Sequence, residues 1–298
     1  MELPHHVTLV EVGPRDGLQN EATFLPTDTK ISFIDQLSET GLSVIEATSF
    51  VSSKSIPQLA DHETVLKTIK KFPHVQYPVL VPNEQGMKAA LAAGARTVSV
   101  FTAASDTFCQ RNIHCTIEES LERFEPVFSL GKEFGIPIRG YISCVLGCPY
   151  EGDISPQKVA HIANLLYEKG CYEISLGDTI GVGTPGKAQA LIREVKQQIP
   201  LSNIAIHFHD TYGQALANIF ACLQEGIQTI DSSISGLGGC PYAQGASGNV
   251  ATEDVIYLLE GLGIHTGIDL EKILSVGQWI CKMLHRETLS KVAKARLK

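Results

Sequence analysis

The sequence predicts an α/β chain folded as a parallel (β/α)8 barrel with one additional C-terminal helix. Three observations carry this. Apolar, β-branched runs alternate with amphipathic stretches eight times along 298 residues. Residues that start and stop helices fall at the junctions. The turn after the first strand, GPRDGLQN, lacks the G-x-G-x-x-G pattern that marks many open doubly wound sheets.

The strand runs are VTLVEV (7–12), SVIEAT (43–48), QYPVLV (76–81), TVSVFT (97–102), PIRGYISCV (137–145), YEISLG (172–177), IAIHFH (204–209) and TIDSSIS (229–235). Helical patterns fill the gaps at about 27–39, 61–71, 84–93, 116–134, 155–169, 185–198, 213–225 and 250–261. Pro156 and Pro185 sit in first turns, where their missing N–H costs nothing. Gly94, Gly135, Gly170 and Gly226 stand where helices should end. DLEKILSVGQWICKMLH (269–285) reads as the extra helix. With no linker or low-complexity stretch, residues 1–298 read as one catalytic TIM-barrel domain: barrel at about 5–262, helical extension at about 263–298.

Bulk properties narrow the function classes. The chain is 44% hydrophobic, enough for a large core. A net charge of −8 without a basic tract argues against nucleic acid. No run of about 18 apolar residues appears, which argues against a membrane span. The start, MELPHHVTLVEV, enters a strand pattern at once and resembles neither a secretory signal nor a transit segment, so a cytoplasmic protein is expected. The eight cysteines are scattered, as reduced thiols would be, and the CVLGC pair (Cys144, Cys148) has no second pair to complete a zinc site.

Barrel enzymes place their sites at the C-terminal ends of the strands. There this sequence carries Arg15 and Asp16 after strand one, Glu46 on strand two, and Asp178 with Thr179 after strand six. His207 and His209 close strand seven, and Cys240 and Asn249 follow strand eight. Residues two apart on a strand share a face, so both imidazoles point to the lumen, where polar groups are easier to satisfy than against helices. Two imidazoles, the Asp16 carboxylate and an amide such as Asn249 give mixed N/O ligation without thiolate. That donor set suits Mg2+ or Mn2+, and Zn2+ fits it as well. Arg15 can pair with Glu46 and also stabilise an oxygen on which charge develops. Asp178 reads either as an acid of the site or as a loop residue.

GPRDGLQNE (13–21), ATSFVSSKSIPQLAD (47–61), CPYEGDISP (148–156), CYEISLGDTIGVGTPG (171–186), HFHDTYGQALAN (207–218) and GLGGCPYAQGASGN (236–249) together resemble the 3-hydroxy-3-methylglutaryl-CoA lyase family, from about residue 5 to 290. The RDGxQ and H-x-H patterns alone are less specific, since they also occur in related synthases of the metal-dependent barrel superfamily. The resemblance implies a divalent-metal cleavage of (S)-3-hydroxy-3-methylglutaryl-CoA to acetyl-CoA and acetoacetate, as in leucine degradation and ketone-body formation. It implies Asp16, His207, His209 and Asn249 as metal ligands. It implies Arg15, Cys240, Asp178, Glu46 and His207 as catalytic residues, with Arg15 and Gln19 toward substrate, and a homodimer. The chain differs from animal members at its ends: no leader is visible, and the ARLK tail has no cysteine for intersubunit thiol control, so that control is expected to be absent.

Chemistry gives these residues work. Breaking the C2–C3 bond requires loss of the C3 hydroxyl proton and a sink for the C2 carbanion, which the thioester supplies as an enolate. Arg15 would hold the enolate oxygen, a donor of the kind whose loss costs about 10²-fold or more. Cys240, in a glycine-rich loop, would deliver the proton that releases acetyl-CoA. Asp178, alone or through a water, is a candidate base. Two other readings stand beside this one: a synthase running the reaction in the opposite direction, and a metal-binding barrel without activity.

Overall fold

The strand runs close on themselves. The computed structural model describes residues 3–239 and 248–296. Among them are β1 (Thr8–Glu11), β2 (Val44–Ile45), β3 (Thr48–Ser49), β4 (Val79–Leu80), β5 (Val98–Ala103), β6 (Ile138–Ser143), β7 (Cys171–Asp178), β8 (Ile204–Phe208) and β9 (Thr229–Ser232). They pair in parallel in the order β2-β1-β9-β8-β7-β6-β5-β4-β3. β2 and β3 are two ends of one extended segment, and its middle is bonded on both sides. Glu46 N donates to Glu11 O at 2.9 Å, and Ala47 N donates to Pro78 O at 2.9 Å. The two ends of the pairing order are therefore one strand, and the sheet is the closed eight-stranded barrel expected.

Helices surround it: α1 (Thr27–Ser38), α2 (His62–Thr68), α3 (Glu84–Ala92), α4 (Asp106–Ile113), α5 (Ile117–Arg123), α6 (Glu125–Phe134), α7 (Pro156–Glu168), α8 (Pro185–Val195), α9 (Ala215–Leu223), α10 (Thr252–Gly261), α11 (Leu270–Met283) and α12 (Lys291–Arg296). Three features differ from expectation. The single helix at 116–134 is two, because Pro126 offers no N–H and its ring crowds the preceding turn; α6 restarts there. Helix α4 was not anticipated, since it buries only Phe108 and Cys109 and so shows no apolar stripe; Ser105 caps it through Phe108 N. The C-terminal region holds α12 besides α11. Asp254 fixes α12 by accepting from Ser290 Oγ at 2.7 Å, Val292 N at 2.9 Å and Lys291 N at 3.0 Å.

Helix ends follow the glycines. Gly94, Gly135, Gly170 and Gly226 all have positive φ, and Gly135 (φ 64°) is the left-handed cap of α6. One apolar cluster fills the space between barrel and helices, from Val7 to Ala293. The lumen is different in kind: it holds buried charge. Arg139 on β6 is 1% exposed and Asp231 on β9 is 1% exposed. The two are joined by Arg139 Nη2 to Asp231 Oδ1 at 2.8 Å.

Candidate active site

β1 runs directly into a single turn of π-helix, Gly13–Gly17, which aims consecutive side chains at the top of the barrel. Gly17 allows this turn to lie close to the chain leaving β9, since a Cβ there would meet Leu237 Cβ at 2.8 Å and Ser233 Oγ at 2.9 Å. Arg15 donates from Nε to Glu46 Oε2 at 2.6 Å and from Nη1 to Asp16 Oδ1 at 2.7 Å. Gln19 Nε2 donates to the same Asp16 oxygen at 2.9 Å. The other Asp16 oxygen accepts from Asn249 Nδ2 at 2.8 Å. Burial alone would raise the Asp16 pKa, but Arg15, His207, His209 and the Asn249 bond hold it down to about 2.

His207 is on β8 and His209 just beyond it, where it bridges to Asn249. Phe208 O accepts from Val250 N at 3.1 Å and Gly248 O from Asp210 N at 2.8 Å, so the end of β8 is zipped to the segment carrying Asn249. The two imidazole rings lie 5.5 Å apart, centre to centre. Asp16, His207 and His209 each offer a ligand atom, and these atoms all lie within 4.8 Å of one another. The fit to a divalent cation has its own sign. His209 Nδ1 is buried without a hydrogen-bond partner among the described residues. Burial, with His207 beside it, also pushes the His209 pKa down to about 4, which keeps the ring neutral and its lone pair available. Asn249 adjoins the cluster with its NH2 end, which also donates to Leu237 O at 3.2 Å.

Above the cluster opens a cavity of about 530 Å³. Arg15, Asp16, Gln19, Tyr141, His207 and His209 line its floor, and Asn83, Asn112, His114 and Arg123 line it farther out. Two expected site residues stand behind the wall. Glu46 is fully buried and reaches the site only through Arg15; burial, partly offset by Arg15, raises its pKa. Asp178 ends β7 fully buried, with its oxygens accepting from Val182 N at 3.2 Å and Gly183 N at 2.8 Å. Its neighbours Gly177 and Thr179 line the cavity. Burial raises the Asp178 pKa to about 6 against the pull of those amides. Cys240 lies outside the described residues.

Comparison with known proteins gives this arrangement relatives. The HMGL-like family model matches residues 6–280. The chain belongs to the HMGL-like family. Within it, the chain is 60% identical over 296 residues to the cytoplasmic 3-hydroxy-3-methylglutaryl-CoA lyase of Rattus norvegicus, covering 99% of this chain and 86% of that one. It is also 60% identical to the mitochondrial hydroxymethylglutaryl-CoA lyase of Bos taurus, covering 99% and 91%. The crystal structure of hydroxymethylglutaryl-CoA lyase from Pseudomonas aeruginosa superposes with a TM-score of 0.98 at 55% identity, over 100% of this chain and 99% of that one.

Sequence reasoning missed the layer beneath the cluster in this family member. Asp231 accepts from His207 Nδ1 at 3.2 Å, and Arg139 donates to Tyr141 Oη at 2.7 Å. The Tyr141 ring carries Arg15 at 5.3 Å and Arg139 at 4.9 Å from its centre. A signal for them existed. Arg139 and Asp231 are each the single charged residue of their strand runs, which is a costly placement in a barrel interior without a partner.

Proposed function

We propose that this chain is a 3-hydroxy-3-methylglutaryl-CoA lyase that cleaves (S)-3-hydroxy-3-methylglutaryl-CoA to acetyl-CoA and acetoacetate. The observation that carries this is the cluster of Asp16, His207 and His209 beside Arg15, on the floor of a cavity about 530 Å³ in volume. Asp16, His207 and His209 would hold Mg2+ or Mn2+, and Asn249 would join them through its carbonyl oxygen, with the amide turned over from the orientation that donates to Asp16. When bound, the cation lowers the pKa of the C3 hydroxyl and orients the substrate.

The side chains supply the rest. Arg15 donates to the thioester oxygen as it becomes an enolate, and Glu46 holds the guanidinium in place for that bond. Gln19 keeps the Asp16 carboxylate turned toward the cavity. Cys240 delivers the proton to the enolate carbon, since a thiol can donate near neutrality. Asp178 has both oxygens on backbone amides, so it would take the C3 hydroxyl proton through a water rather than directly, while it also shapes the 178–183 loop.

The same reading places the enzyme in the cytoplasm as a homodimer, with residues 1–298 acting as one catalytic unit. The seven described cysteines are all free, as a reducing compartment would keep them. The decisive experiment is incubation with the CoA ester and Mg2+ or Mn2+. Equal amounts of acetoacetate and acetyl-CoA, abolished by a chelator, are expected; no acetoacetate from any of several acyl-CoAs would overturn the proposal.

A further inference from the structure

Asp231, on β9, is a buried carboxylate whose bonds are all accepted ones. Arg139 Nη2 donates to Oδ1 at 2.8 Å, Arg139 Nη1 to Oδ2 at 3.1 Å, and Ser175 Oγ to Oδ2 at 2.8 Å. Arg139 is itself fixed by Glu173 Oε1 at 2.6 Å and by Tyr141 Oη at 2.7 Å. A carboxylate clamped by a guanidinium and a hydroxyl acts as an acceptor only. His207 Nδ1, 3.2 Å from Oδ2, must therefore carry the hydrogen in that bond. In the neutral ring this leaves Nε2 with the lone pair. Nε2 is the atom that faces the cluster, 3.8 Å from Asp16 Oδ2. His209, at the same strand end, has no such partner on Nδ1 among the described residues. The two imidazoles are thus set differently: one has its tautomer fixed by a carboxylate, the other does not.

We infer that Asp231 is a positioning residue, holding the Nδ1–H of His207 so that an unprotonated Nε2 is presented to a divalent cation. The inference rests on the cation site proposed above. Arg139, on β6 and two strands away from His207 on β8, enters as the group that keeps Asp231 ionised and still.

Two measurements test it, and the first needs neither cation nor activity. In protein labelled with 15N-histidine and stripped of cations, the His207 ring is assigned by difference against H207Q. The expected ring shifts show hydrogen on Nδ1 and a bare Nε2; hydrogen on Nε2 would overturn the inference. The second is Mn2+ affinity by electron paramagnetic resonance, for wild type and the double variant R139M/D231L, in which position 231 no longer offers an acceptor to Nδ1–H. The double variant removes both buried charges, so neither is left alone. With a wild-type unfolding transition, it should bind Mn2+ about 10- to 100-fold more weakly, the usual cost of losing a carboxylate behind a histidine ligand. Wild-type affinity in the folded double variant would mean that Asp231 serves Arg139 alone, and the inference fails. A wild-type protein that binds no Mn2+ would instead sink the cation site, while the tautomer result stands by itself.

Discussion

Arg15 donates its Nε–H to Glu46 Oε2 at 2.6 Å, deep in the barrel, and this bond fixes the plane of a guanidinium that lines the cavity. Glu46 owes its place to strand alternation through the segment that joins β2 to β3. Ile45 N and Ala47 N donate to Gln76 O and Pro78 O on one side, Glu46 N donates to Glu11 O on the other, and the Glu46 side chain is left in the lumen. An uninterrupted strand thereby supports the arginine proposed for the enolate step.

That pairing makes the arginine hard to replace. Lysine would lose the flat fork that meets two carboxylates at once. R15K should lower kcat by about 10²-fold or more, with a smaller change in KM. E46Q keeps an acceptor for Nε–H but no charge, and should fall between R15K and wild type. Steady-state kinetics on the CoA ester decides it. An R15K enzyme with wild-type kcat would remove Arg15 from the enolate step.

Among the proposed ligands, His209 has the environment that asks most plainly for a cation. H209A should weaken Mn2+ binding by about tenfold or more, as losses around a metal site do. Titration calorimetry on the cation-free protein measures this. Unchanged affinity would sink the assignment of His209 as a ligand.

The barrel was legible because its period is simple: eight apolar runs, each followed by a helical stripe and ended by glycine or proline. The cluster was legible for the same reason. His207 and His209 share a face by strand alternation, and Asp16 follows the first strand. The unread parts depended on partners far apart in sequence. Asp231 and Arg139 are 92 residues apart and meet only when β6 and β9 face each other across the lumen. Asp178 was read as open to two roles, and what decides its surroundings is a loop that curls back to place amides on both oxygens. Helix α4 escaped because two buried residues make no periodic pattern.

Cys240 carries the proposed proton delivery. C240S replaces a thiol with a hydroxyl of much higher pKa and nearly equal size. Turnover should fall by about 10²- to 10⁴-fold, the range of a lost general acid, while Mn2+ affinity holds. Near-normal turnover in C240S would take the thiol out of the mechanism.

On either side of that cysteine, glycine lets two backbones touch. A Cβ on Gly248 would stand 1.9 Å from Gly238 O, whereas one on Gly239 meets nothing within 4 Å among the described residues. G248A must push apart the segments that carry Asn249 and lead to Cys240. Displaced catalytic groups lose rate steeply, so kcat should drop about tenfold or more, with a lower Tm. G239A should leave both near wild type. Equal effects of the two substitutions would refute close approach as the reason for Gly248.

Glu11 links β1 to the foot of the same loop and makes stability depend on pH. It accepts from Gly13 N at 2.8 Å, Ile234 N at 2.9 Å and Thr252 Oγ1 at 2.7 Å. Burial raises its pKa from 4.5 to about 7, although those bonds oppose the rise. The folded chain therefore keeps a proton that the unfolded chain releases near pH 4.5. Between these values the folded state binds more protons, so the stabilisation is complete below pH 4.5 and is lost as pH climbs through 7. E11Q is neutral throughout and fits the site. Its carbonyl keeps the two N–H donors, and its NH2 donates to Thr252 Oγ1, whose hydrogen can turn to Ser232 Oγ at 2.9 Å. Relative to wild type, E11Q should gain stability from pH 5 to pH 8 by up to about 3 kcal/mol, read from urea unfolding at each pH. A difference that stays flat, or shrinks, across that interval would show that Glu11 is already ionised in the folded protein.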